Sequence, residues 1–409
     1  MKITIEKLSA FFFTIAVFGL FLAEYAKAVP SLAMGGLVLC AIIYYFTSNE
    51  TIRVDKSMLI LSGGMLLLYG IQFLTSNDYS YLLERLKIKL PFILLPVGMS
   101  ILPALSRKTI IRICILYIII TTITALFIVV KFLLNYDFYV ELIKHSQIVS
   151  GPINHIRFSL MSVTAAFLSY YLLYEQKLIA NRLEKRILQF CLYFLIFFVH
   201  VYSVRSGILV LYALTFIFGV LYLLKHGTLK KWIVSILLFI SAPFLAYITS
   251  SSIQSKINAT SSDITQFQGN QNNENNSIGK RIISYQVAFV VFTENPILGC
   301  GIGDLEQTNI RIFHEQHPDI STVIIPHNQF IYFLMGSGIL GLLLFSISFF
   351  YPLFYKKNYL NKLLLAHYLL LFISFQIEPM LETQLGVAYS VLFLLIPIQI
   401  IRTEHLEVA

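Results

Sequence analysis

The residues able to do chemistry are few, and most lie at the ends of apolar runs in the second half of the chain. His327 and Asn328 stand at the threshold of "QFIYFLMGSGILGLLLF". A histidine side chain has a reference pKa of about 6.5, so at neutral pH it can accept a hydroxyl proton as a general base. The bland alternative is an interfacial cap. Asn328 can orient that imidazole or cap the following helix, and capping is the stronger reading. Arg205 lies in "VHVYSVRSGIL", where two apolar runs are joined by almost nothing. Charge at membrane depth is costly, so such an arginine faces a cavity or partner, or snorkels to lipid phosphates. Arg281 heads "RIISYQVAFVVFTENP", with Ser284 and Ala288 at helical spacing on its face and Ile283, Val287 and Val290 on another. In "GCGIGD", Gly301 and Gly303 would let a backbone approach a phosphate, although a plain glycine turn explains them as well.

These groups need a frame to hold them. The chain has 409 residues, 57% hydrophobic and 12% charged, with a mean hydropathy of +0.77. That balance belongs to a polytopic membrane protein, and every lipid-crossing run must be helical to satisfy its own backbone. Apolar runs long enough to cross hydrocarbon predict twelve spans, at roughly 8–23, 30–46, 57–75, 88–105, 109–134, 153–174, 187–203, 206–224, 233–249, 329–354, 363–377 and 383–401. The expected fold is therefore all-α. Residues 1–249 carry spans one to nine, 250–328 form one large external loop with short helices, and 329–409 carry spans ten to twelve. Most of the 30 lysines and arginines fall in loops such as "RLEKR", "KHGTLKK" and "KKNYLNK", which places both termini in the cytoplasm. The amino-terminal run, followed by "AKA", reads as a retained first span rather than a cleaved leader. Arg85, with Lys87 and Lys89, and Arg157, beside His155, break the positive-inside trend. They point to an anionic partner on the outer face or to interfacial anchors.

The external loop contains the Asn/Gln-rich stretch "QFQGNQNNENN" at 266–276, too polar to bury and read as a linker. The segment from Arg281 to Thr293 is too short to span and reads as an interfacial helix. Other chemistries find less support. "HEQH" supplies His314 and His317, with Asp319 following, but Pro318 interrupts the helix and HExxH is absent, so no metal site is expected. The four cysteines form neither CxxC nor an external pair. Lys131 and His367 are candidate intramembrane groups for a transporter, yet the two halves show no repeat. A nucleic-acid partner would need a basic soluble surface with interleaved aromatics, which is missing. Glu378 and Glu382, in "IEPMLETQ", could orient an arginine, meet a sugar or cap helix ends.

Three stretches together resemble the O-antigen ligase and polymerase superfamily of bacterial glycosyltransferases. They are "SVRSGI", "RIISYQVAFVVFTENPILGCGIGDL" and "PHNQFIYFLMGSGILGLLLF". The sequence departs from the family pattern at Tyr285, where members often carry tryptophan. The resemblance implies an inverting transferase of GT-C type that uses no metal and no cofactor. Its donor would be a glycan on undecaprenyl pyrophosphate and its acceptor a sugar hydroxyl of the lipid A core, within the bilayer of the bacterial inner membrane. The active site would face the periplasm. Carried over by motif, His327 is the general base and Arg205 and Arg281 hold the departing pyrophosphate. Asn328, Gly301, Gly303, Arg157 and Arg85 are further candidates for substrate contact. A polymerase or a protein O-oligosaccharyltransferase is the nearest alternative, and a lipid-linked glycan flippase is more remote.

Overall fold

The computed structural model describes all residues except 1, 53, 145–148, 176–178, 180, most of 250–276, 319, 321 and 409. The Asn/Gln-rich stretch 266–276 and Asp319 therefore lie outside the described residues. Among the described residues the chain is helical and contains no strand. In chain order the helices are α1 (Lys2–Gly19), α2 (Ala28–Thr47), α3 (Lys56–Thr75), α4 (Tyr79–Ile101), α5 (Arg107–Leu134), α6 (Tyr136–Lys144), α7 (His155–Tyr170), α8 (Arg182–Tyr202), α9 (Arg205–His226) and α10 (Leu229–Thr249). They continue with α11 (Ser277–Glu294), α12 (Leu305–Gln316), α13 (Gln329–Phe354), α14 (Lys362–Phe375) and α15 (Gln384–Val408).

Among the described residues eight helices are long and apolar enough to cross a membrane: α2, α3, α5, α7 with the turn after it, α8, α9, α13 with the turn after it, and α15. The remaining four expected spans coincide with α1, α4, α10 and α14, and here the expectation of twelve equivalent spans is refined. Helix α1 carries Lys2, Glu6 and Lys7 in its first two turns. Helix α14 has only 14 residues. Helix α4 begins at Tyr79, well ahead of the expected start, because Asp78 caps it by accepting from the Tyr81 amide. Arg85, Lys87 and Lys89 thus ride on the helix instead of preceding it.

The chain divides into two compact units, residues 1–110 with 266–409 and residues 111–265. In the first, α1 packs on α2, α3 on both α4 and α13, and α4 on α15, while α11 packs on α12 and α13. In the second, α7 packs against α8 and α9. Six of the helix starts share one chemistry. Asp55, Asp78, Asn154, Asn181, Asn328 and Asn361 each accept from amides of the first turn of α3, α4, α7, α8, α13 and α14. Each such cap is worth roughly 1 kcal/mol.

Helix α13 is not continuous. At Gly338 the backbone takes φ 62° and ψ −168°, a region open essentially to glycine alone. The carbonyls and amides freed by the break find partners in the segment 295–301. Cys300 and Gly301 donate to the carbonyls of Met335 and Gly336 at 3.1 and 3.0 Å, and Ile339 and Leu340 donate to Pro296 and Ile297 at 2.9 and 3.2 Å. Gly299, at φ 73°, passes so close that a Cβ there would lie 2.5 Å from the carbonyl carbon of Gly336. Across the break Phe333 meets Phe345 at 4.4 Å between ring centroids, and Phe345, Phe349 and Phe375 continue a fully buried aromatic stack toward α14.

Gly299→Ala and Gly338→Ala are expected to destabilise the protein by about 1–3 kcal/mol or more from backbone strain and the added clash. Gly35→Ala, where a Cβ meets nothing within 4 Å, should be neutral or slightly stabilising. Thermal denaturation of the purified variants in detergent checks the contrast.

Candidate functional site

The first unit brings together His327, Arg281 and Glu378 from three separate stretches of chain. Arg281 and Tyr285 lie one turn apart on α11. That helix is anchored by Ile283, Val287, Ala288 and Val291, which pack with Leu305, Ile312 and Phe313 of α12 and with Tyr332 and Met335 of α13. The face expected to line up with Arg281 is therefore largely inward, since Ser284 and Ala288 are both buried. His327 immediately precedes Asn328, the cap of α13. Glu378 follows the last turn of α14, where the amides of Ile377 and Glu378 both donate to the Ser374 carbonyl at 3.0 Å.

Glu378 sits between the other two groups. Its Oε1 lies 3.3 Å from Nδ1 of His327 and 3.7 Å from Nη2 of Arg281. All three side chains remain partly open to solvent, so a reactant can reach them. A carboxylate accepting from Nδ1–H leaves the Nε2 lone pair of the imidazole available, the tautomer a general base needs. The Tyr285 hydroxyl donates to the backbone carbonyl of His327 at 3.2 Å. Burial pushes the Tyr285 phenol above its ordinary pKa, with Arg281 opposing and Glu378 adding to the shift, so the phenol keeps its proton at neutral pH and stays a donor. Asn328 accepts from the amides of Phe330 and Ile331 at 2.9 and 3.1 Å and donates through Nδ2 to Gln376 Oε1 at 3.1 Å.

Directly behind this group runs a second, buried set of polar contacts. Gln329 donates to Glu382 Oε1 at 2.8 Å and accepts from the Leu381 amide at 2.7 Å. Lys89, with no exposed side-chain surface, pairs with the same Glu382 oxygen at 2.8 Å and also donates to the Leu381 carbonyl. Arg85 reaches the Glu382 carbonyl at 3.5 Å and stacks its guanidinium over Tyr81 at 4.7 Å.

The other sequence candidates fall elsewhere. The amides at Gly301 and Gly303 are engaged by protein: Gly301 donates to Gly336, Ile302 to Gln72 Oε1 at 2.8 Å and Gly303 to Ser76 Oγ at 3.0 Å. Asp304 completes that docking by accepting from the amides of Asn77 and Asp78, both at 2.8 Å. Arg205 and Arg157 belong to the second unit. Arg205 is exposed as the first residue of α9, just after Ser203, whose left-handed backbone (φ 51°) makes the tight turn from α8; Arg157 lies in the first turn of α7. His314 is exposed on α12, and among the described residues no three His, Cys, Asp or Glu side chains group as metal ligands. His367 is buried with Nε2 on the Ser390 carbonyl at 2.9 Å, and Lys131 donates to the Ser150 carbonyl at the same distance. Burial raises the Cys300 thiol to about 12, which keeps it unreactive at neutral pH.

Sequence reasoning left Glu378 among several possibilities and did not single out Gln329 or Gln376. One signal was available. An acid that follows an apolar run at the same end as a histidine and an arginine has few other ways to be satisfied.

Tyr285→Phe should lower stability by roughly 0.5–1.5 kcal/mol through loss of the hydrogen bond to the His327 carbonyl. It should leave Arg281 and Glu378 in place, which thermal unfolding beside a Glu378→Ala control would test.

No curated protein matches the chain. Residues 189–346, which hold Arg205, Arg281 and His327, match the family model described as O-antigen ligase, and that match supports membership of the O-antigen ligase superfamily.

Proposed function

We propose that the protein is an O-antigen ligase of the inner membrane. It transfers a glycan from undecaprenyl pyrophosphate to a sugar hydroxyl of the lipid A core at the periplasmic face, with inversion and without a metal ion. The observation that carries this reading is the Glu378 carboxylate held between His327 and Arg281 beside the segment that matches the family.

In the step proposed, the acceptor oxygen attacks C1 of the donor sugar while its proton passes to Nε2 of His327. The C1–oxygen bond to pyrophosphate breaks as the new glycosidic bond forms, and the electron pair leaves with the pyrophosphate oxygen. Glu378 holds the imidazole by its Nδ1–H and stabilises the imidazolium that forms, as a carboxylate does in a catalytic triad. Arg281 directs the remaining N–H groups of its guanidinium to the departing pyrophosphate, where charge-assisted hydrogen bonds in a partly dry site stabilise the developing charge. Arg205 is assigned the same role by its motif. Both termini lie in the cytoplasm on this reading, and residues 250–328 lie on the periplasmic side.

The test uses purified protein in detergent, an undecaprenyl-pyrophosphate-linked glycan and a lipid A–core acceptor, with chelator present. Core glycosylation is expected in wild type. It should fall about 10²–10⁴-fold in His327→Ala, and strongly in Glu378→Ala, Arg281→Ala and Arg205→Ala, each checked for folding. Longer lipid-linked chains without core transfer would make the protein a polymerase. Full activity in a folded His327→Ala variant would remove the proposed mechanism.

A further inference from the structure

Glu378 can act on His327 only while the turn that carries it keeps its place, and that turn is short, running from the end of α14 into a single 3-10 turn at Met380–Glu382. On one side the Glu378 amide is held by the Ser374 carbonyl. On the other, Met380 donates to the Glu378 carbonyl at 2.8 Å and Glu382 to the Pro379 carbonyl at 3.0 Å, so residues 378–382 form one compact unit. What holds that unit is the buried set behind the site. Gln329 grips it twice, accepting from the Leu381 amide and donating to the Glu382 carboxylate. Lys89 also grips it twice, through the Leu381 carbonyl and the same carboxylate oxygen.

Gln329 is two residues after His327, and Glu382 is four after Glu378. The two strands of chain are thus cross-linked at three levels: His327 with Glu378, Asn328 with Gln376, and Gln329 with Leu381 and Glu382. The lowest level is closed to any substrate. Gln329 and Lys89 have no exposed surface, and the Glu382 side chain is only 4% exposed. A lysine buried this deeply persists only with a partner, and the pair it forms is costly to break from one side. Such a contact contributes geometry to the site above it.

We infer that Gln329, Lys89 and Glu382 are positioning residues, a buried clamp that holds Glu378 against Nδ1 of His327. This rests on the reading of His327 as general base. The clamp acts through Glu378, so its loss should lower turnover without changing donor affinity, and it should do nothing further once Glu378 is gone.

The experiment takes Gln329→Ala, which leaves the Lys89–Glu382 pair intact, and the neutral double variant Lys89→Met/Glu382→Gln, which leaves no buried charge unpaired. It adds the exchanged pair Gln329→Glu/Glu382→Gln, which keeps an acceptor for the Leu381 amide and a hydrogen bond between the two positions with its polarity reversed. Imidazole ¹⁵N spectra of histidine-labelled protein at alkaline pH report which ring nitrogen of His327 carries the proton, with His327→Ala identifying the signal. In Gln329→Ala and in the neutral double variant the His327 signal is expected to move from the Nδ1–H form toward that of Glu378→Ala, and the exchanged pair should restore it. In the transfer assay, kcat should fall on the order of 10–100-fold with donor KM within about twofold. Gln329→Ala should add less than about twofold in a Glu378→Ala background.

A wild-type His327 signal in Gln329→Ala overturns the clamp. So does a raised donor KM with unchanged kcat, which would make Gln329 a substrate contact. If His327→Ala keeps full activity, the proposed reaction mechanism fails, but the imidazole spectra still decide whether the clamp holds Glu378 in place.

Discussion

The structure around the site depends on one exchange of backbone hydrogen bonds. Helix α13 opens at Gly338, and the segment 295–301 fills the opening by giving two amides and receiving two. In a membrane an unsatisfied backbone group costs several kcal/mol, so irregular chain at that depth survives only where other protein completes it. The same segment joins α11 to α12. Docking it into α13 therefore fixes where α11 runs, and so where Arg281 and Tyr285 stand relative to His327. The glycines at 299, 301 and 338 are what make so close an approach possible, because all three adopt positive φ.

On this frame the charges are arranged as two carboxylates, each shared. Glu378 lies between a histidine and an arginine at the open edge, and Glu382 lies between a lysine and a glutamine in the interior. The outer carboxylate is partly open to solvent, and its contacts are longer, at 3.3 and 3.7 Å. The inner one is dry and its contacts are 2.8 Å. Rigidity below and freedom above suit the proposed reaction, in which the site accepts bulky substrates yet keeps its base oriented.

Much of this was legible before any coordinates. Hydropathy marks α2, α3, α5, α8, α9 and α15 as spans, and the order of an Arg-Ser-Gly turn, an Arg-led helix and a His-Asn opening picks out Arg205, Arg281 and His327, the last two of which the fold brings together around Glu378. The start of α4 was misplaced because charged residues read as loop. Lys89 is buried in α4 against Glu382 and the Leu381 carbonyl, both from the far end of the chain, and no local pattern encodes such partners. Glu378 was visible as an acid at the right end, but its pairing is a long-range contact. The break in α13 was hidden for a different reason. "GSG" within an apolar run reads as close helix packing, and hydropathy does not distinguish a helix that touches a neighbour from one that opens to receive it. The glycine-rich turn is open in the sequence to phosphate approach or to a plain turn, and its amides serve the docking of α11 and α12.

The break has a consequence for how the chain is made. A helix that enters a bilayer whole brings its own hydrogen bonds, but α13 cannot, since its backbone is incomplete by itself at residues 335–340. The segment that completes it lies upstream in sequence, so during synthesis the filler emerges before the helix it fills. Biogenesis can then proceed in the order of translation, with α13 settling onto a waiting template instead of holding exposed amides and carbonyls in lipid until later chain arrives.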